Sequence, residues 1–149
     1  MAAKRRHIDD AERRARMVAR HHLAGTAPDV VTAVRGVVAM HSSDPLTPYC
    51  GLWARVPGFT TAHLDDAMYA QRTLWRLHAM RRTLFVVPSD EATIFEAGAS
   101  RDVALSEWKK LEKYLALEMD PKVIRPWLAD VQARTLALFT DGLERKTQD

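Results

Sequence analysis

The apolar positions of this chain recur mostly at steps of three and four, with one interval that alternates instead. The first helical stretch runs from about Asp9 to about Ala24, with Met17, Val18, Leu23 and several alanines as a modest apolar face. Asp9, Asp10 and Glu12 lie in its first turn, where carboxylates complement the positive end of the helix dipole, and Gly25 closes it. Pro28 and Asp29 open a second helix whose apolar set is Val30, Val31, Val34, Val37, Val38 and Met40. So many β-branched residues lower helix propensity, so burial has to hold this helix together. His41-Ser42-Ser43-Asp44-Pro45 then interrupts the pattern with cap and turn residues. A third helix is predicted from about Pro48 to Arg55, carrying Tyr49, Leu52 and Trp53, and Pro57-Gly58 ends it. Thr60 or Thr61 caps a fourth helix through Leu64, Ala67, Met68 and Ala70, with Asp65 and Asp66 near its start and Arg72 near its end.

The period changes over residues 74–87. Leu74 to Ala79 and Thr83 to Val87 read as two short strands joined by Met80-Arg81-Arg82, and Pro88 stops the second. Helical spacing returns at Ser89, with Ala92, Ile94, Phe95 and Ala97. It continues from Ser100 through Leu105, Trp108, Leu111, Leu115 and Met119. Asp120-Pro121 is a cap followed by proline at the first helical position, so a last helix starts there. That helix uses Val123, Trp127, Val131, Leu138 and Phe139, and Asp141-Gly142 ends it. The resulting fold class is mainly α with a small β-hairpin, in the order of a winged helix-turn-helix. Residues 1–99 are expected to form the winged-helix domain, residues 100–142 further helices and residues 143–149 a tail.

Composition narrows the function classes. With 149 residues and one cysteine, the chain is long enough for a core, has no internal disulfide and holds no thiolate-rich metal site. No apolar run reaches the ~20 residues of a membrane span and no secretory h-region is visible, so a cytoplasmic protein is expected. The net charge of +3 is unevenly spread. Residues 1–25 carry seven basic and three acidic residues, and residues 67–89 hold Arg72, Arg76, Arg81 and Arg82 with no acid at all. The second stretch coincides with the presumed wing. Charge and topology therefore select double-stranded DNA as the partner, with these four arginines as its contacts. No cofactor is implied, and neither His21-His22 nor His41, His63 and His78 has metal-site spacing. Trp53, Trp75, Trp108 and Trp127 read as core anchors, and Cys50 as a packing residue.

Three stretches carry a family resemblance: Arg16 to Leu23, Val37 to Gly58 (VVAMHSSDPLTPYCGLWARVPG) and Leu74 to Pro88 (LWRLHAMRRTLFVVP). The chain resembles bacterial winged-helix DNA-binding-domain proteins that include the AlkZ-like DNA glycosylases. Members of that family are usually longer, with tandem winged-helix units, so the resemblance implies a shortened member or an N-terminal piece. Its glycosylase branch carries two glutamines just before the Asp-Pro step, and those positions are His41 and Ser43 here. Arg82 stands where the family often has glycine.

The resemblance implies a DNA-binding protein without full glycosylase activity. One alternative is a glycosylase excising alkylated or crosslinked bases through His41 and Ser43. Such chemistry needs a group that positions or deprotonates water beside an oxocarbenium-like sugar, and imidazole titrates in the right range. Asp44 is the nearest carboxylate, but beside Pro45 it reads as a helix cap. The other alternative is an interaction domain that dimerises or awaits a missing C-terminal partner segment.

Overall fold

The computed structural model describes residues 7–140, which divide into two compact units between Val103 and Ala104. The chain is mainly helical, with one small antiparallel sheet. The first unit holds α1 (Asp10–Arg20), α2 (Val30–Gly36), β1 (Met40–His41), α3 (Thr47–Trp53), α4 (Thr61–Asp65), β2 (Leu74–His78), β3 (Leu84–Pro88) and α5 (Ala92–Phe95). A π-helical turn, Asp66–Ala70, extends α4, and a second, Glu96–Ser100, leads from α5 into α6 (Arg101–Leu115). The second unit contains most of α6 together with α7 (Pro121–Ala137).

Local chemistry sets the helix starts where the polar pattern predicts them. The Asp9 carboxylate accepts from the Glu12 amide at 2.7 Å, and Asp29 accepts from the Thr32 amide at 2.7 Å and the Thr32 hydroxyl at 3.0 Å. Asp120 accepts from the Lys122 amide at 2.9 Å, just ahead of Pro121. At α4 the Thr60 amide donates to His63 Nδ1 at 3.2 Å. The proposed stop at Asp141-Gly142 and the tail lie outside the described residues.

The second helix departs from expectation. It ends at Gly36, not Met40, and residues 37–39 unwind before Met40 enters β1. The Val37 and Val38 amides make only tight three-residue bonds, to Val34 and Arg35. Val38 takes φ 72°, a left-handed conformation costly for a β-branched residue. Two contacts hold this break in place. At Gly36 a Cβ would come within 2.5 Å of the Arg20 carbonyl oxygen, so the glycine lets the end of α1 approach. Beyond the break, Met40 pairs with Val86 and is buried.

The sheet order is β1-β3-β2, so the hairpin gains a third strand on the far side of β3. Its register is Leu74 opposite Pro88, Arg76 opposite Val86 and His78 opposite Leu84. Strand β3 is central and buried on both faces. Val86 joins Val30, Val34, Met40, Leu52, Leu64 and Leu74 in the main core under α2, α3 and α4. Phe85 and Val87 join Ala79 and Phe95 in a smaller cluster on the opposite face. An Arg35 fork to Asp90, at 2.9 and 3.0 Å, plus a contact to Glu91, ties α2 to the turn after β3.

The aromatic expectation fails. Trp53 is 75% exposed, and Trp75, Trp108 and Trp127 are exposed as well. On α3, Pro48 and Leu52 are one turn apart and point inward, which turns Cys50 and Trp53 outward. The presumed apolar face of α1 is also exposed, including Met17, Val18 and Leu23. In the second unit Ile124 and Leu128 are buried, while Leu105, Leu111, Leu138 and Phe139 are exposed.

Two substitutions test this account by urea unfolding. Leu52→Ala opens a void in the main core and should cost about 2–5 kcal/mol. Val38→Gly relieves the left-handed strain and should stabilise the chain by about 1 kcal/mol.

Candidate nucleic-acid interface

The acid-free stretch maps onto the hairpin and its approach. Leu74, Phe85, Val86 and Val87 are the buried positions that set the two strands. The tip is a tight turn over Met80–Arg82. Arg81 and Arg82 both adopt left-handed backbone, φ 56° and 61°, where a glycine would sit without strain. Hydrogen bonds over-determine the turn. The Ala79 amide donates to the Thr83 carbonyl at 3.0 Å, the Arg82 amide to Ala79 at 3.2 Å and the Thr83 hydroxyl to Met80 at 3.0 Å. The departure from glycine at Arg82 therefore leaves the turn tight. It sets two exposed arginines side by side at the outermost point of the hairpin.

Arg72 lies two residues before the other end of β2, a five-residue strand about 16 Å long. It too is left-handed, φ 55°, and among the described residues it makes no hydrogen bond or ion pair. Arg76 is different. Its guanidinium donates to the Ser42 carbonyl at 2.7 Å, bridging across β3 to the segment that follows β1. The partner is a backbone oxygen and not an acid, so this contact brings no opposite charge to the guanidinium. The four arginines thus form two outward sites, Arg72 and the Arg81–Arg82 tip, joined by one anchored residue.

A second polar contact links α3 to α4. The Tyr49 hydroxyl donates to an Asp65 carboxylate oxygen at 2.6 Å. Bonding to Asp65, and then partial burial, push the Tyr49 phenol up to about 12, against a smaller opposing pull from Arg76.

His41 and Ser43 flank Ser42, and the structure gives each a local role. The His41 ring stands edge-on to Phe85, centroids 5.4 Å apart at 86°. Among the described residues it has no hydrogen-bond or ion-pair partner to fix its tautomer. Ser43 Oγ accepts from the Leu84 amide at 3.1 Å, while the Ser42 amide donates to the Leu84 carbonyl at 2.8 Å. Residues 42–43 therefore continue the pairing of β1 with β3. Asp44 accepts from the Leu46 amide at 2.7 Å, a local turn and not the helix cap expected of it, since the N-cap of α3 is Leu46, which has no side-chain bond. Among the described residues no hydrogen bond joins His41 to Ser43.

The sequence reading missed what lines the outer edge of β2. A groove of about 320 Å3 runs there, with Tyr69 (62% exposed) and Trp75 (50%) on its walls, Leu74 at its floor and Arg72 at its end. The signal was present in the strand alternation. Leu74 faces the main core, so Trp75 must face away. Among the described residues no group of His, Cys, Asp or Glu could hold a metal ion, and no helix is long and apolar enough to cross a membrane.

One family model, described as DNA glycosylase AlkZ-like, matches residues 34–149. No match was found among curated proteins or solved structures.

The Tyr49–Asp65 contact can be read directly. The phenol is raised in the folded state, so its contribution to stability is complete below pH 10 and lost as the pH rises toward about 12. Ultraviolet titration should show one of the three tyrosines ionising about two pH units after an ordinary phenol. Tyr49→Phe should remove that late step; three ordinary titrations in the unaltered protein would refute the contact.

Proposed function

The chain belongs to the AlkZ-like DNA glycosylase family, a family of DNA repair, and we propose that it is a winged-helix protein that grips duplex DNA chiefly through its β2–β3 hairpin. The observation that carries this reading is the sheet order β1-β3-β2 inside the succession α2, β1, α3, α4, β2, β3. In that succession a pair of helices precedes a hairpin whose far strand also pairs with an early strand. The winged-helix domain in this reading is residues 1–99, with the wing near 74–87.

Electrostatics support the wing over the second helix of the pair as the main contact. Between Thr61 and Ala70 there is no lysine or arginine, and Asp65 and Asp66 are there instead. A helix without cations gives phosphates nothing to bind. The hairpin offers Arg81 and Arg82 at its tip, with Arg72 and Arg76 at its base and middle. Guanidinium forks suit phosphate oxygens, and charge contacts of this kind position a protein without reading sequence.

The family description favours one further reading, hydrolysis of an N-glycosidic bond to release an alkylated or crosslinked base. His41 is then the general base that takes a proton from water, and Ser43, already accepting from Leu84, keeps its own O–H to orient that water. The water oxygen bonds to the sugar carbon while the alkylated base, cationic before cleavage, departs neutral with the bond's electrons, and His41 releases the water's proton to solvent.

Gel-shift titration on duplex DNA should give an affinity that falls steeply with salt. Arg81→Ala should weaken binding uniformly across sequences and lower the salt slope by about one. A flat salt response would overturn the DNA-binding reading. For the enzymatic reading, His41→Ala should abolish release of bases from alkylated DNA, and unchanged turnover would refute the assigned role.

A further inference from the structure

Among the described residues no strand pairs with the outer edge of β2. The Ala79 amide donates to Thr83, and the Ser89 amide donates to Thr73 at 2.9 Å. These bonds place the odd-numbered β2 positions in the hydrogen-bonded pairs of the ladder. The backbone groups of Leu74, Arg76 and His78 therefore point away from β3. One of them is already satisfied, because the Ser100 hydroxyl donates to the His78 carbonyl. Those of Leu74 and Arg76 face the groove walled by Tyr69 and Trp75.

An exposed strand edge beside two exposed aromatics is a liability in a monomer, and charge is the usual protection for such an edge. Here the charge has a single sign. No acid occurs in residues 67–89, and Arg72 at the end of the groove has no ionic partner among the described residues. The groove thus combines flat aromatic faces, an open edge carrying the Arg76 amide and an unneutralised guanidinium. Aromatic faces that stack bases, set beside cations that take phosphates, are the elements of single-stranded nucleic-acid sites.

We propose that this groove holds an unpaired nucleotide of DNA, its base against Trp75 and Tyr69 and its phosphate on Arg72 and the Arg76 amide. The inference rests on the DNA-binding reading above and deepens it. The wing grips the duplex, and the edge of the same hairpin takes a nucleotide that has left the stack. The groove lining carries two arginines and no acid, which favours this anionic occupant over an extended peptide that would add a strand to the edge.

The test measures the full chain against three labelled DNAs: a perfect duplex, the same duplex with one bulged nucleotide, and oligothymidylate. Trp75→Ala and Tyr69→Ala should each lower affinity for the last two about 5- to 100-fold, the range of one lost base–aromatic stack. Perfect-duplex affinity should stay within about two-fold, and the salt slope of Trp75→Ala should be unchanged because stacking releases no counterions. Trp75→Phe, which keeps a stacking face, should restore most of the loss. Arg72→Ala should lower the slope for oligothymidylate by about one. If the unaltered protein binds the perfect duplex but Trp75→Ala binds all three DNAs as it does, or if Trp75→Phe binds no better than Trp75→Ala, the groove inference fails and the duplex reading stands. If the groove instead takes an apolar β-strand peptide in a Trp75-dependent way while oligothymidylate is not bound, the edge is a strand-addition site and the inference is overturned. Failure to bind any of the three DNAs would remove the duplex reading as well.

Discussion

Strand β3 is buried on both faces, and most of the first unit is arranged around that constraint. A strand with one wet face can alternate; this one cannot, so Phe85, Val86 and Val87 run together as apolar residues. Val86 commits one face to the helices α2, α3 and α4, while Phe85 and Val87 commit the other to the helix that follows. With both faces covered, β3 also needs partners on both edges. β2 supplies one through the hairpin, and the short β1 supplies the other. The break after α2 follows from this demand. Met40 is worth more beside Val86 than at the end of a helix, and the left-handed turn at Val38 is the cost.

The same constraint explains the division of labour among the polar residues. Ser42 and Ser43 continue the pairing of β1 with β3 at Leu84, and Arg76 reaches over β3 to the Ser42 carbonyl. Groups that look like chemistry in the sequence are thus also ties that close the sheet. Arg76 keeps its charge while doing so, because its partner is neutral. Residues beyond the sheet's needs, Arg72 at one end of β2 and Arg81 with Arg82 at the other, are left facing outward. Among the described residues the outer edge of β2 has no neighbouring strand.

The family match covers residues 34–149 and so begins within α2, leaving α1 outside it. That agrees with the packing, since α1 buries none of its residues and approaches α2 through the Arg20 carbonyl at Gly36. The match begins six residues ahead of β1 and covers all three strands. The resemblance carried by Val37 to Gly58 and Leu74 to Pro88 therefore rests on the segments that build the three-stranded core.

What the sequence determined by itself was local. Aspartates 9, 29 and 120 cap their helices because a short carboxylate next to free amides needs nothing from the rest of the chain. The hairpin and its arginine tip were legible because alternation and turn residues lie within one short segment. The tertiary structure decided the rest. The pairing of Met40 with Val86 joins residues far apart in the chain, and helical spacing in a run of valines gives no sign of it. The exposure of Trp53 and Trp75 depends on which face each element turns to the core, and Pro48 and Leu52 on α3 and Leu74 on β2 take those faces. The structural use of Ser43 and Arg76 likewise appears only once β1 lies against β3, because a hydrogen bond across a sheet is a property of the register and not of either residue.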